Sequence, residues 1–452
     1  MTLSQRFAQF IHSPVPLGEK ERKLCIRSIL DTMGAMLLGS KTPVVQRALA
    51  IAEGSGYATV AGIGRGFSTR DAAFLNGISG HELELDDTAS SNLGHPTVAV
   101  LPTLLAIGEV TGASGAQLIQ AFAVATEVEC KLGRICAHAL HERGWHASSI
   151  TGVVGAAAGG AYLLGLDQKQ TECCLGLAAS MASGVRENFG TDTKSVHIGK
   201  CASDGVLAAL LAREGYTASP TALDGREGYL YEYTNQRFEP FGADWAGTLG
   251  HAYDIASPGF AIKQYPSCSS THRAVDAFAD LANEYHFSAD DVACIRVELS
   301  AAALRELVTP DPQTGDEAKF SVGFQVALHL LGLDNMPANY CPEVIFAPEV
   351  QRIIKATQLH HAARYDGLPV DMGVGPAFVS VALTDGREYH TERIYPVGHL
   401  TDPLPDQRLE DKFLRCAVPV LGRDRSAALL QCLWNLEQTP VSKLMEFTLP
   451  AD

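Results

Sequence analysis

The sequence predicts a mainly α-helical protein with a smaller α+β part. Apolar residues recur at helical spacing almost without interruption between residues 97 and 211, and the breaks fall at glycines. Strand patterns appear after Ser257-Pro258-Gly259, where the character of the chain changes. The chain has 452 residues, too many for a single core. We therefore expect a large all-helical domain and a smaller α+β domain.

The N-terminal part is predicted to be mostly helical. Residues 19–38 carry apolar side chains at helical spacing and end at a glycine, and residues 43–53 form a second helix. Residues 57–63 are short and favour a strand. Ser68, with an acidic residue three positions later, is the expected N-cap of a helix over residues 71–83.

The α+β part is predicted from one strand and one hairpin. Residues 292–299 alternate and contain β-branched side chains, and two further strand patterns flank Thr384-Asp385-Gly386-Arg387, whose Asp-Gly suits a tight turn. Helices are expected over residues 270–285, 320–331, 348–358, 406–416 and 425–436. The last two of these helices follow the α+β part and resume the helical pattern of the first half. We therefore assign residues 1–257 and 398–452 to the helical domain and residues 258–397 to an inserted domain.

Composition excludes several classes of protein. Hydrophobic residues make up 46% and charged residues 19%, as in an ordinary globular enzyme. The net charge of −16 argues against a nucleic-acid partner, which requires a basic face. The first residues lack a signal-peptide core, and the longest apolar run, residues 150–166, is short for a membrane span. We expect a cytoplasmic protein without a membrane partner, with its eleven cysteines reduced.

A cluster of acidic residues lies just before a histidine at a helix start. Glu84-Leu85-Asp86-Asp87-Thr88 is followed by a turn-prone run and then by His95-Pro96, which opens an apolar helix over residues 97–109. Carboxylates and an imidazole at the mouth of a buried helix are typical of a catalytic loop held on rigid elements.

Two further stretches carry histidines and lysines. His146 precedes a helix of small residues, and a loop that starts at a glycine contains Lys194 and His197 ahead of a helix over residues 200–213. A lysine at a helix N-terminus is suited to binding an anion, although solvated surface charge is the alternative. Lys263 and His272 flank Tyr265-Pro266-Ser267-Cys268, where a carboxylate clamp is more natural than a cysteine nucleophile.

No metal or cofactor is expected. The sequence lacks Cys-x-x-Cys and His-Glu-x-x-His patterns, and no phosphate loop accompanies Asp86-Asp87 as a magnesium site would require. The glycines between residues 62 and 66 are misplaced for a nucleotide loop. What remains is acid–base chemistry on a small anion, with a base and pre-placed cations where negative charge develops.

Five blocks of sequence, in order and over nearly the whole chain, resemble the MmgE/PrpD family. They are Asp71-Ala72-Ala73-Phe74-Leu75-Asn76-Gly77; His81-Glu82-Leu83-Glu84-Leu85-Asp86-Asp87-Thr88 with His95-Pro96; Phe189-Gly190-Thr191-x-Thr193-Lys194-x-x-His197; Lys263-x-Tyr265-Pro266-Ser267-Cys268-x-x-Thr271-His272; and Asp316-Glu317-Ala318-Lys319-Phe320-Ser321.

The resemblance implies a fold, an assembly and a type of reaction. It implies a large all-helical domain with a smaller α+β lid, a homodimer, and a metal-free site in the cleft between the domains. Members include 2-methylcitrate dehydratase, cis-aconitate decarboxylase and iminodisuccinate epimerase, which share proton transfer at a carbon beside a carboxylate. The expected substrate is therefore a small di- or tricarboxylate.

The resemblance also suggests roles for individual residues. His95 would be the general acid or base, with Lys194 and His146 as further catalytic groups. The expected substrate-binding residues are Glu84, Asp87, Thr88, His197, Lys263 and His272. Two positions differ from decarboxylase-like members: Glu84 stands where they have Asp, and Phe324 where they have Tyr. Such changes predict a different discrimination between substrates.

Three functions are compatible with these residues. The first is a cofactor-independent lyase, either a dehydratase or a decarboxylase, acting on a small di- or tricarboxylate. The second is an isomerase that epimerises a carbon between a carboxylate and a heteroatom, as in iminodisuccinate. The third is a non-enzymatic helical binding protein. A second base on the opposite face of the substrate would favour the epimerase, and an acid near a leaving group would favour the lyase.

Overall fold

The computed structural model describes residues 1–236, 249–368 and 374–450. The chain forms two compact units. Unit 1 contains Met1–Glu82, Asp86–Phe260 and Pro405–Asp452, and unit 2 contains Leu83–Leu85 and Ala261–Leu404. Long helices and two small sheets confirm the predicted fold class, mainly α with an α+β part.

Unit 1 is built from helices and one short hairpin. Its helices are α1 (Leu3–His12), α2 (Glu19–Gly39), α3 (Pro43–Leu49), α4 (Thr69–His81), α5 (Pro96–Thr111), α6 (Gly115–Glu142), α7 (Ala147–Leu163), α8 (Gln168–Met181), α9 (Thr193–Arg213) and α10 (Tyr229–Thr234). Strands β1 (Ala58–Val60) and β2 (Gly64–Phe67) pair antiparallel. The predicted strand at residues 57–63 contains β1, whereas β2 was not predicted because its glycines carry no strand pattern.

Small residues let the central helices of unit 1 approach at backbone distance. The apolar run after His146 is α7, which is buried from Ala147 to Ala161 and packs against α5, α6 and α9. At the contact between α4 and α9, a Cβ added to Gly199 would lie 2.6 Å from a carbonyl oxygen of α4. The helix of small residues that was predicted after His146 is thus confirmed as α7. Among the described residues, no helix has the length and apolarity needed to cross a membrane.

The last helices of the chain pack into unit 1. They are Asp406–Leu421 (α17), Arg423–Trp434 (α18) and Val441–Phe447 (α19). Helix α17 lies along α2, where the Nζ atom of Lys412 is 2.5 Å from Oδ1 of Asp31 and both side chains are buried. This ion pair joins the two ends of the sequence inside one core.

Unit 2 is a four-stranded mixed sheet with helices. Its elements are α11 (Ser269–Tyr285), β3 (Val292–Leu299), α12 (Ala301–Glu306), α13 (Gly315–Ala318), α14 (Val322–Leu330), α15 (Pro342–Ile345), α16 (Pro348–Ala356), β4 (Thr357–His361), β5 (Ala377–Leu383) and β6 (Glu388–Arg393). The strand order is β4-β3-β5-β6, and helix α11 packs on β5 and β6.

Unit 2 confirms the predicted hairpin and corrects one predicted helix. Strands β5 and β6 pair antiparallel around the Asp-Gly turn. The helix predicted to reach residue 358 ends at Ala356, and β4 begins at once and pairs in parallel with β3. A parallel partner some sixty residues away in sequence leaves no local signal, which is why β4 was missed.

Candidate active site

One buried carboxylate of unit 1 contacts two histidines. Asp86 lies in the loop between α4 and α5, while His81 ends α4 and His95 is the N-cap residue of α5. The Oδ2 atom of Asp86 is 2.8 Å from Nδ1 of His81 and 3.1 Å from Nδ1 of His95. The two rings meet edge to face, with centroids 4.7 Å apart. The loop thus brings both imidazoles onto one oxygen.

The burial of this group sets its protonation. Burial alone would raise the pKa of Asp86, but the neighbouring imidazoles of His95 and His81 outweigh it and hold that pKa well below its ordinary value. Burial lowers the pKa of His81 to about 3, against the opposing effect of Asp86. At neutral pH the group is therefore an ionised carboxylate beside a neutral His81 ring.

A second pair of histidines continues the cluster. His146 is the N-cap residue of α7, and its ring stacks on that of His81 at 5.7 Å. Its Nδ1 atom lies 3.2 Å from Nδ1 of His197 on α9. Burial, followed by the neighbouring imidazoles, lowers the pKa of His146 well below its ordinary value, and burial followed by Lys194 lowers that of His197. Both rings are therefore neutral hydrogen-bonding groups.

Lys194 is linked to the same cluster by the Phe189 ring, which both Lys194 and His146 contact. It lies in the first turn of α9, which begins at Thr193 and not at residue 200 as predicted, so Lys194 and His197 are helical and share one face. The Nζ atom of Lys194 lies 5.3 Å from the centroid of the Phe189 ring, within cation–π range. That ring meets His146 edge to face at 4.9 Å. The predicted catalytic residues His95, Lys194 and His146 are thus gathered in unit 1.

Three helices begin at this cluster. His95 opens α5, His146 opens α7 and Lys194 lies at the start of α9. The N-cap histidines of α5 and α7 make no capping hydrogen bond with their own side chains, and the backbone N–H of Thr97 in the first turn of α5 donates to Asp87. Helix N-termini carry partial positive charge and unpaired N–H groups, so their convergence favours an anion. The cluster combines this field with one lysine and several neutral imidazoles.

Asp87 makes different contacts from its neighbour Asp86. It is fully buried, and it accepts hydrogen bonds from the backbone N–H of Thr97 at 3.2 Å and from the Thr97 hydroxyl at 2.5 Å. Burial raises the pKa of Asp87 to about 7. Both of its oxygens thus hold the first turn of α5, which is where the structure places this expected substrate-binding residue. Thr88 is buried in the same loop.

The remaining predicted residues lie in unit 2. The Nζ atom of Lys263 is 3.1 Å from Oε2 of Glu84, and both side chains are almost fully buried. The backbone of Glu84 has a φ of 54°, in the left-handed region that favours glycine. The ring of His272 packs against Tyr265 at 5.1 Å. The candidate site residues therefore form two clusters, one in each unit. Glu84, Lys263 and His272 belong to the cluster of unit 2.

Phe324, where related proteins were expected to carry a tyrosine, lies in the core of unit 2. Its side chain has no exposed surface, and its ring meets Tyr340 edge to face at 5.0 Å. Cys268 also belongs to unit 2 and points to Glu306, with its Sγ atom 3.6 Å from Oε2.

Sequence reasoning did not select His81 or Asp86 as site residues. His81 was named only within a block that resembles the family, and Asp86 only as one of several acids and as a rejected magnesium ligand. A five-residue spacing from a helix-terminal histidine to a loop aspartate is the one signal that could have indicated their contact.

His81, Asp86 and His95 are also the one group among the described residues whose atoms could hold a metal ion. Two ligands of a tetrahedral zinc ion stand about 3.3 Å apart, given zinc–nitrogen distances of about 2.0 Å. The 2.8 Å separation between His81 and Asp86 is shorter and is a hydrogen-bond distance. The three side chains therefore fit each other better than they fit a metal.

A mainly helical fold around a cluster of histidines and one lysine has the character of an enzyme rather than of a scaffold. Comparison with known families agrees. The MmgE/PrpD N-terminal domain matches residues 5–240, and the MmgE/PrpD C-terminal domain matches residues 265–438. The protein belongs to the MmgE/PrpD family.

Characterised relatives match over almost the full chain. Cis-aconitate decarboxylase of Homo sapiens is 28% identical, covering 96% of this chain and 92% of its own. The enzyme of the same name from Mus musculus is 28% identical over 91% of this chain and 85% of its own. The Aspergillus terreus enzyme is 26% identical over 92% and 89%. These matches confirm the prediction of a lyase of the MmgE/PrpD type.

Proposed function

We propose that the protein decarboxylates cis-aconitate or a closely similar unsaturated tricarboxylate, without a metal or an organic cofactor. The observation that carries the proposal is the convergence of three helix N-termini on His95, His146 and Lys194. It is supported by relatives that are named for this activity over nearly their whole length.

The reaction replaces one carboxylate by a proton. The bond between a carbon and its carboxylate breaks, carbon dioxide leaves, and the electron pair stays on carbon, where a neighbouring unsaturated carboxylate delocalises it. An acid then delivers a proton to carbon. The site must hold several carboxylates, stabilise the developing negative charge and supply that proton.

His95 is the proposed proton donor. Its side chain is 11% exposed, whereas His81 is 1% exposed and Asp86 is fully buried, so His95 is the member of this group that a substrate can reach. Asp86 remains ionised beside it and would stabilise the imidazolium that gives up the proton.

Lys194 is the proposed cation that binds a substrate carboxylate. It lies in the first turn of α9, where the field of the helix is most positive, and it contacts the Phe189 ring, which also contacts His146. The neutral rings of His146 and His197 would donate hydrogen bonds to the same anion. We propose that Lys263, His272, Thr88 and Glu84 bind the remaining carboxylates, while Asp87 acts through the fold of the loop.

The test is proton NMR in D₂O on protein treated with EDTA. With cis-aconitate, we expect loss of the substrate signals, release of carbon dioxide and deuterium at one carbon of the product. His95→Ala should lower kcat by about 10²–10⁴-fold, the usual contribution of a general acid. Lys194→Ala should mainly raise KM. Lys200→Ala is the matched control, because that lysine lies on α9 but pairs with Asp204 at the surface.

Full turnover by a folded His95→Ala protein would remove His95 from the reaction. Deuterium exchange without release of carbon dioxide would instead indicate the epimerase, which the relatives do not favour. Loss of activity with EDTA, restored by a divalent metal, would overturn the cofactor-independent reaction. We further propose a homodimer in the cytoplasm, which light scattering and cell fractionation would test.

A further inference from the structure

Asp86 and His81 are two buried side chains that contact His95, the proposed proton donor. One oxygen of Asp86 lies near both Nδ1 atoms. The His81 contact is a hydrogen bond at 2.8 Å, whereas the His95 contact, at 3.1 Å, is an ion-pair contact without hydrogen-bond alignment. The centroid of the His81 ring is 4.7 Å from that of His95 and 5.7 Å from that of His146. None of these contacts requires a substrate, so the arrangement is part of the resting fold.

The Asp86 carboxylate sets the tautomer of each ring. An ionised carboxylate only accepts hydrogen bonds, so the His81 Nδ1 that bonds to it carries the proton. Its negative charge also favours a proton over a lone pair on the His95 Nδ1, 3.1 Å away. Both rings then have Nδ1–H, and the Nε2 atom of each carries the lone pair. For His95 this leaves Nε2 as the atom that takes up a proton from solvent, forming the imidazolium, and then gives it to the substrate carbon.

We propose that Asp86 and His81 are positioning residues, which hold His95 in one orientation with Nδ1 protonated and Nε2 presented to the substrate. This proposal rests on the proposed function for its effect on turnover, but the tautomer itself is a property of the resting protein. His81 holds Asp86 through a hydrogen bond to the same oxygen that faces His95, so its loss would free that carboxylate to turn.

The first test is the tautomer of His95 in the wild-type protein, measured by ¹⁵N NMR with labelled histidine and assigned with His95→Gln. We expect Nδ1–H. In Asp86→Asn, the amide NH₂ can donate to Nδ1, so we expect the ring to switch to Nε2–H. The Nε2–H tautomer in the wild type would overturn the proposal, whether or not the protein turns over cis-aconitate.

The second test is kinetic. Asp86→Asn should lower kcat on cis-aconitate by about 10²–10⁴-fold with KM changed less than about threefold, because the donor is misoriented while the cations remain. Glu129→Gln is the matched control: this buried carboxylate contacts Asn92 rather than a histidine. Equal losses in both variants, or an unchanged kcat in Asp86→Asn, would refute a positioning role.

His81 is tested by two replacements. Asn places its amide NH₂ near the position of the original Nδ1–H, so His81→Asn should keep the contact with Asp86 and retain kcat within about tenfold. His81→Leu fills the space but lacks the donor, and should lose kcat as Asp86→Asn does. If the two variants behave alike while both are folded, His81 serves only packing. Inactivity of the wild type would count against the proposed function alone, since the tautomer would still be read.

Discussion

Lys412→Met tests whether one buried ion pair joins the C-terminal helices to the N-terminal ones. Lys412 on α17 and Asp31 on α2 are almost fully buried, at 3% and 0% side-chain exposure. Removing one partner of such a pair typically costs about 3–5 kcal/mol, because the other charge is left in a medium that solvates it poorly. Met keeps most of the volume of the lysine stem, so the loss reports charge rather than a cavity.

The cost should depend on pH in a defined direction. Burial raises the pKa of Asp31 even with Lys412 opposing it. A raised folded pKa means that the carboxyl contributes most stability below its unfolded pKa and loses it as pH rises through the folded value. Without Lys412 that folded pKa rises further. The destabilisation should therefore be small near pH 4.5 and reach the full about 3–5 kcal/mol near pH 8.

The assay is urea unfolding followed by circular dichroism at both pH values. Lys443→Met is the control, because that lysine is exposed, pairs with Glu446 at 3.2 Å and should cost less than about 1 kcal/mol. Asp31→Asn combined with Lys412→Met should recover most of the loss. A cost below about 1 kcal/mol at pH 8, or the same cost at both pH values, would refute the reasoning.

Three other predictions concern the loop and its supports. Gly199→Ala places a Cβ 2.6 Å from a carbonyl oxygen of α4, so it should lower the free energy of unfolding by about 1–3 kcal/mol in denaturant titration, while Gly54→Ala, with open space around it, should not. Asp87→Asn mimics the protonated acid. Because the pKa of Asp87 is raised to about 7, the stability of the wild type falls as pH rises through 7. The melting temperature, measured from pH 5 to 8, should fall less in the variant than in the wild type. Glu84→Asp withdraws the carboxylate from Lys263 by about one bond length, and a melting temperature equal to that of the wild type would show that the 3.1 Å contact contributes nothing to stability.

Local patterns were sufficient to predict the fold class. The spacing of apolar residues predicted α2, α5, α7 and α9. A helix repeats about every 3.6 residues, so the side chains that it buries recur in the sequence at that spacing. The Asp-Gly turn predicted the β5–β6 hairpin for a similar reason, since turn and strands are contiguous. Strand β4 escaped prediction because its partner is distant in sequence and its pattern merges with the preceding helix.

The candidate site divides in the same way. Local signals were enough to place His95 and His146 at helix starts, because Pro and small residues mark those boundaries. The start of α9 was misplaced, since Lys194 was assigned to a loop before residue 200 and lies inside the helix. The different contacts of the adjacent Asp86 and Asp87 follow from the packing of the helices around their loop. One faces two imidazoles and the other caps a helix. Both are acidic, buried and one residue apart, and their difference comes from the direction of each side chain in a loop whose path is set by the helices packed around it.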